Sequence, residues 1–126
     1  TAWHHLKEFN YISTGFVDDA SLMNEYLNAA DMLLYCAEAE NQPLGVIEAA
    51  STGLPVFGFD IGGVKECVAA SERHRFVAPS QQAVLVADIE HYATQTQKNA
   101  ADPFFSLQRM VEDYEKLYFS LARKNR

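Results

Sequence analysis

Two cysteines among 126 residues cannot build a disulfide framework. Cys36 and Cys67 both sit in apolar surroundings, Leu34-Tyr35-Cys36 and Cys67-Val68, which predicts buried free thiols in a reducing compartment. No apolar run approaches the ~18 residues of a membrane span, and the first residues lack the pattern of a signal peptide, so a cytoplasmic protein is expected. Basic residues are few, 10 against 17 acidic ones, for a net charge of −7. An acidic chain repels phosphate backbones, which removes nucleic acid from the expected partners. A metal-ligand cluster is also lacking. His4 and His5 are adjacent and so point differently, while His74 and His91 stand alone; no metal site is expected, and each histidine reads as a surface residue. There is no internal repeat and no low-complexity stretch.

What remains is ordinary globular composition, 48% hydrophobic and 21% charged, at a length that suits one domain. Residues 1–126 are therefore read as a single domain. Trp3, Leu6 and Phe9 recur at three-residue spacing, like the last turns of a helix. With no initiator Met, this start reads as a cut through a larger protein. Tyr11 to Phe16 is β-branched and aromatic and predicts a short strand ending at Gly15. Asp18 or Asp19 then offers an N-cap to a helix carrying Leu22, Met23, Tyr26, Leu27 and Ala30. Met32 to Cys36 is a continuous apolar run of strand length, the expected most buried strand of a parallel sheet. Pro43 suits the first turn of a helix that Gly53 ends. Leu54 to Phe59 reads as a third strand. Asp60 to Gly63 reads as a glycine turn into a short helix around Val64 to Ala70, and Arg75 to Ala78 as a small fourth strand. Helices from about Gln81 to Thr96 and Pro103 to Arg123 follow. The first buries Leu85, Ile89 and Tyr92. The second carries Leu107, Met110, Val111, Tyr114, Leu117, Tyr118 and Leu121 on one stripe, a packing or docking face. Alternating strands and helices predict an α/β fold, a Rossmann-like parallel sheet with flanking helices.

In such a sheet, ligands sit beyond the carboxyl ends of the strands. Glu40 lies there, in the loop after Met32 to Cys36. Glu48, eight positions on, lies inside the following helix. At 100° per residue Glu48 falls beside the stripe of Leu44, Ile47 and Ser51, which predicts a carboxylate bordering the buried face. The free N–H groups near Leu44, Gly45 and Val46 form an anion site, and Gly45 lets a phosphate come close. Glu48 can accept both hydroxyls of a ribose. Glu40 can orient sugar hydroxyls or stabilise positive charge developing at a sugar carbon.

The segment from Glu40 through Pro43-Leu44-Gly45, Glu48-Ala49 and Gly53-Leu54-Pro55-Val56 resembles the signature of glycosyltransferase family 4, which has the GT-B architecture. Gly62-Gly63-Val64-Lys65-Glu66 resembles the family's glycine turn. Gly15-Phe16-Val17 with Asp18 resembles the strand end before it. Phe104-Phe105-Ser106 through Tyr114 and Leu117-Tyr118 resembles its terminal helix. The resemblance implies the second half of a GT-B C-terminal domain, from a retaining enzyme that transfers a sugar from a nucleotide-diphosphate sugar to a carbohydrate or lipid-linked acceptor. It implies Glu40 near the transferred carbon as the catalytic residue and Glu48 on the ribose hydroxyls. The backbone of Leu44, Gly45 and Val46 would meet the sugar or diphosphate, and Gly15, Phe16 and Val17 would lie near the base. No metal and no cofactor beyond the nucleotide sugar is implied. Polysaccharide synthesis, in the cytoplasm or peripheral to a membrane, is the implied setting.

The sequence departs from that family at Ser51, where Ala is common, and no phosphate-binding Arg or Lys counterpart precedes Glu40. The acceptor-binding domain and the first strands of the donor domain have no counterpart either, so the chain alone is expected to be inactive. A truncated sheet edge and the stripe of the last helix leave self-association open. The alternative reading is a non-catalytic nucleotide-binding or interaction domain of flavodoxin-like fold, with Asp18 or Asp19 and Lys65 as its charged residues.

Overall fold

The computed structural model describes residues 10–95 and 106–124. The elements run α1 (Ala20–Ala29), β1 (Leu33–Tyr35), α2 (Leu44–Ser51), β2 (Val56–Phe59), a 3-10 turn (Val64–Cys67), β3 (Arg75–Val77), α3 (Gln82–Ala93) and α4 (Leu107–Lys124). The three strands are parallel in the order β1-β2-β3, with Leu33 beside Val56 and Phe57 beside Arg75. This is the expected α/β, Rossmann-like arrangement, with three strands among the described residues where four were predicted.

The missing strand is Tyr11 to Phe16. Among the described residues no ladder hydrogen bond holds this segment, and Ile12 and Phe16 are 92% and 94% exposed. β-propensity describes fit to a half-buried pleated surface, and without a neighbouring strand it has nothing to act on. The predicted N-terminal helix end around Trp3, Leu6 and Phe9 lies outside the described residues.

Local chemistry explains the helix ends. Asp19 caps α1, its carboxylate accepting from the Ser21 N–H at 2.8 Å and the Leu22 N–H at 3.1 Å. At the far end of α2, Gly53 takes φ +83. Its N–H donates to Ala50 O at 2.9 Å while the Leu54 N–H donates to Ala49 O at 3.1 Å, a paired closure that ends the helix and turns the chain into β2.

β2, not β1, is the most buried strand. It has a partner on both sides, whereas among the described residues β1 is paired on one side only, and Leu34 is 55% exposed. Successive residues of a strand face opposite sides. Val56 joins Val46, Ala49, Ala50, Leu54, Val64 and Cys67 under α2. Phe57 joins Val77 and Leu85 under α3, with the Tyr92 ring 5.3 Å away. The predicted burial of Leu85 holds, and Ile89 and Tyr92 are half-buried against the same cluster. The predicted short helix is shorter still, ending at Cys67.

Two side chains sit opposite to expectation. Cys36 is exposed, because it lies one residue beyond the last ladder position, Tyr35 beside Gly58. His74 is buried rather than on the surface. Its Nδ1 accepts the Val56 N–H at 3.2 Å, supplying an acceptor to β2 just before the β3 ladder begins. His74→Ala leaves that buried N–H without its acceptor and is expected to cost about 1–3 kcal/mol of stability, measured by urea unfolding. A variant with wild-type stability would show that the bond contributes nothing.

Candidate functional site

The carboxyl ends of β1 and β2 release two loops, residues 36–43 and 60–63, and these meet backbone to backbone. Gly62 takes φ +48, and a Cβ there would fall inside the Glu40 carbonyl oxygen. A Cβ at Gly63 would fall inside the Asn41 carbonyl oxygen. Only glycine allows the second loop to serve as a floor for the first. Across that turn the Lys65 ammonium pairs with the Asp60 carboxylate at 2.6 Å, with both side chains well exposed.

On this floor Glu40 is half-buried and held at both carboxylate oxygens. Oε2 accepts from the Tyr35 hydroxyl and Oε1 from the Asn41 N–H at 3.0 Å. These two bonds, the phenol's first, hold the Glu40 carboxyl below its usual range. The same bond, together with burial, pushes the Tyr35 phenol up to about 12. Glu40 is thus an ionised acceptor, and a carboxylate has roughly four lone-pair sites, so about two remain for a ligand.

α2 starts directly after this loop. Pro43 precedes it and supplies no side-chain cap. The Val46 and Ile47 N–H groups turn back to Pro43 O at 3.2 and 3.4 Å. Those of Leu44 and Gly45 have no protein acceptor among the described residues, and the positive end of the helix dipole adds to their pull on an anion. Gly45 has nothing within 4 Å of where a Cβ would stand, so a ligand has free approach. Leu44 is 69% exposed, while the Val46 side chain is fully buried. Val46 can therefore offer only backbone, and its N–H is already engaged.

Glu48 departs from its predicted setting. The buried face of α2 is Val46, Ala49 and Ala50, opposite to the Leu44, Ile47 and Ser51 stripe. Leu44, Glu48 and Ser51 share the exposed face, with Ile47 half-buried at its margin. The reason is distance: alanines let α2 lie close over the sheet, and the larger Leu44 is left outside. Glu48 lies one turn past Leu44, roughly 6 Å along the axis. Its carboxylate has no protein partner among the described residues. The structure thus gathers Glu40, Leu44, Gly45 and Glu48 around the start of α2. Gly15, Phe16 and Val17 lie before α1, and no hydrogen bond among the described residues ties them to that group. Gly15 takes φ +65 and Val17 is half-buried.

Tyr35 is the residue that sequence reasoning passed over. Its one signal was a polar atom at the end of an otherwise aliphatic run, five positions before Glu40. Of the charged residues named for the flavodoxin-like alternative, Asp19 caps α1 and Lys65 pairs with Asp60. Two hollows open on the described surface. One, of about 630 Å³, opens at the other end of the sheet near Asp31, Thr52 and Tyr92. The other, of about 770 Å³, runs between Ile47 and the apolar stripe of α4, where Met110, Tyr114 and Leu117 are about half exposed. No described helix is long and apolar enough to cross a membrane.

Comparison with known families matches residues 2–96 to the glycosyl transferases group 1 model. The matched span includes both loops, α2 and the glycine turn, and it ends before α4. No curated protein and no solved structure matches the chain.

Proposed function

The chain belongs to the glycosyl transferases group 1 family, and from that premise we propose that it forms the donor side of a retaining sugar transferase of family 4. In this reading residues 1–126 are part of a GT-B C-terminal domain. The donor is a nucleotide-diphosphate sugar, and a further domain brings a carbohydrate or lipid-linked acceptor. The observation that carries the reading is the open start of α2, with two N–H groups free for an anion beside an unobstructed Gly45, and a carboxylate before and after it.

Each part then has a task. The Leu44 and Gly45 N–H groups take a phosphate of the leaving diphosphate, and the helix dipole adds about 1 kcal/mol. Neither loop 36–43 nor loop 60–63 carries Lys or Arg, and Lys65 of the following 3-10 turn already holds Asp60. In this reading further cations complete the neutralisation. Glu48, exposed and unpartnered, accepts the ribose hydroxyls. Glu40, ionised and fixed, faces the sugar and stabilises positive charge at the carbon that changes partners. Gly15 to Val17 flank the base. The transfer uses no metal and no cofactor beyond the nucleotide sugar, and its setting is polysaccharide synthesis in the cytoplasm or at a membrane surface.

Calorimetric titration with uridine, guanosine and adenosine diphosphates tests this. One nucleotide is expected to bind, and Glu48→Ala to weaken it about ten- to a hundredfold, the worth of hydrogen bonds to a charged group. Equal affinity in the variant would overturn the role of Glu48. Absence of binding in the longer protein as well as in this chain would overturn the donor site.

A further inference from the structure

We propose that Tyr35 is a positioning residue of the transfer: its hydroxyl, carried on the end of β1, fixes the direction of the Glu40 carboxylate toward the donor. The proposal deepens the donor-site reading and rests on Glu40 facing the sugar.

The pair is built from a rigid base. Tyr35 is the last ladder position of β1, opposite Gly58. A Cβ on Gly58 would run into the Tyr35 carbonyl oxygen, so β2 approaches this residue unusually closely. The Tyr35 ring packs against the cluster beneath α2 and cannot swing freely. From there the hydroxyl donates to Oε2, while the Asn41 N–H takes Oε1 at 3.0 Å. The glycine turn supports the same two residues from below, Gly62 against Glu40 and Gly63 against Asn41. A glutamate in a loop ordinarily samples many rotamers. Here one strand, one backbone N–H and one glycine turn restrain the carboxylate at both oxygens.

Among the described residues the hydroxyl makes no hydrogen bond except that to Glu40, and phenylalanine would fill the same space. Besides Glu40, the titratable group that acts on Tyr35 is Cys67 of the 3-10 turn. The Cys67 thiol is itself raised by burial and then by Glu66 and Glu40, so it stays neutral where Glu40 titrates.

Tyr35→Phe separates this role from a structural one. In the longer protein, kcat is expected to fall on the order of ten- to a hundredfold through misdirection of the carboxylate, with the donor KM little changed. The hydroxyl stabilises the charged carboxylate, so its loss raises the Glu40 pKa and moves the acid limb of the pH–rate profile to higher pH. Carbon-13 NMR of the Glu40 carboxyl in this chain reads the same shift without any turnover. The converse variant, Glu40→Gln, is expected to bring the Tyr35 phenol down from about 12 toward its ordinary range. A Glu40 titration that does not move in Tyr35→Phe overturns the proposal, as does an unchanged kcat. Full turnover in Glu40→Gln would instead overturn the donor-site reading, whatever the NMR shows of the pair.

Discussion

Gly62→Ala is expected to destabilise the domain by about 2–5 kcal/mol. The backbone at Gly62 is left-handed, φ +48, which costs a residue with a Cβ about 1–2 kcal/mol. The new methyl group would also meet the Glu40 carbonyl oxygen, a backbone atom that cannot rotate away. Forcing atoms into a filled space adds typically 1–3 kcal/mol. Relief must come from moving one loop away from the other, and the loop that moves carries Glu40. Urea unfolding will show a lower midpoint. Carboxyl NMR will show Glu40 titrating nearer to an ordinary glutamate, because its bonds to Tyr35 and Asn41 depend on that loop position. Wild-type stability in this variant would mean that the turn relaxes at no cost and does not hold Glu40.

Glu40→Gln is expected to lower turnover on the order of 10²–10³-fold in the longer protein, the usual loss when one group aimed at developing charge is removed. Donor affinity should change little, since the diphosphate and ribose are assigned to α2 and Glu48. The pH dependence follows from the same geometry. Hydrogen bonds from Tyr35 and Asn41 depress the Glu40 pKa. Its ionised form therefore persists as pH falls into the ordinary carboxylate range and is lost only below it. Wild-type rates should hold through that range on the acid side, and the Gln variant should be slow at every pH. A variant within twofold of wild type across the profile would remove Glu40 from the chemistry.

Where local rules decide, the fold was legible. Asp19, Pro43 and Gly53 set helix ends because each acts on backbone within a few residues: an acceptor for free N–H groups, a ring without an N–H, a left-handed turn. Glu40 and Glu48 were singled out because the start of a helix after a parallel strand is where an anionic ligand is best received, and that choice needs only element order.

Four readings failed for one shared reason: they depended on a neighbour. Tyr11 to Phe16 has strand composition and, among the described residues, no strand beside it. The 33–35 run is as apolar as 56–59, yet pairing on both sides makes β2 the centre. On α2, periodicity counted Leu44 and Ile47 as the inner stripe, whereas close approach selected the alanines and put Glu48 on the open face. His74 is isolated in sequence but stands at the mouth of the β2–β3 ladder.

The sequence by itself determined that this chain makes a parallel α/β sheet in which α2 starts just beyond the carboxyl end of β1. Apolar runs, helix caps and glycines act locally and need no knowledge of the partner surface. Tertiary structure alone decided what the carboxylates there are. Tyr35, Asn41, Gly62 and Gly63 come from two loops and a strand and meet only after β1 and β2 pair. That meeting makes Glu40 a fixed anion, and the close packing of α2 leaves Glu48 facing outward with no partner among the described residues.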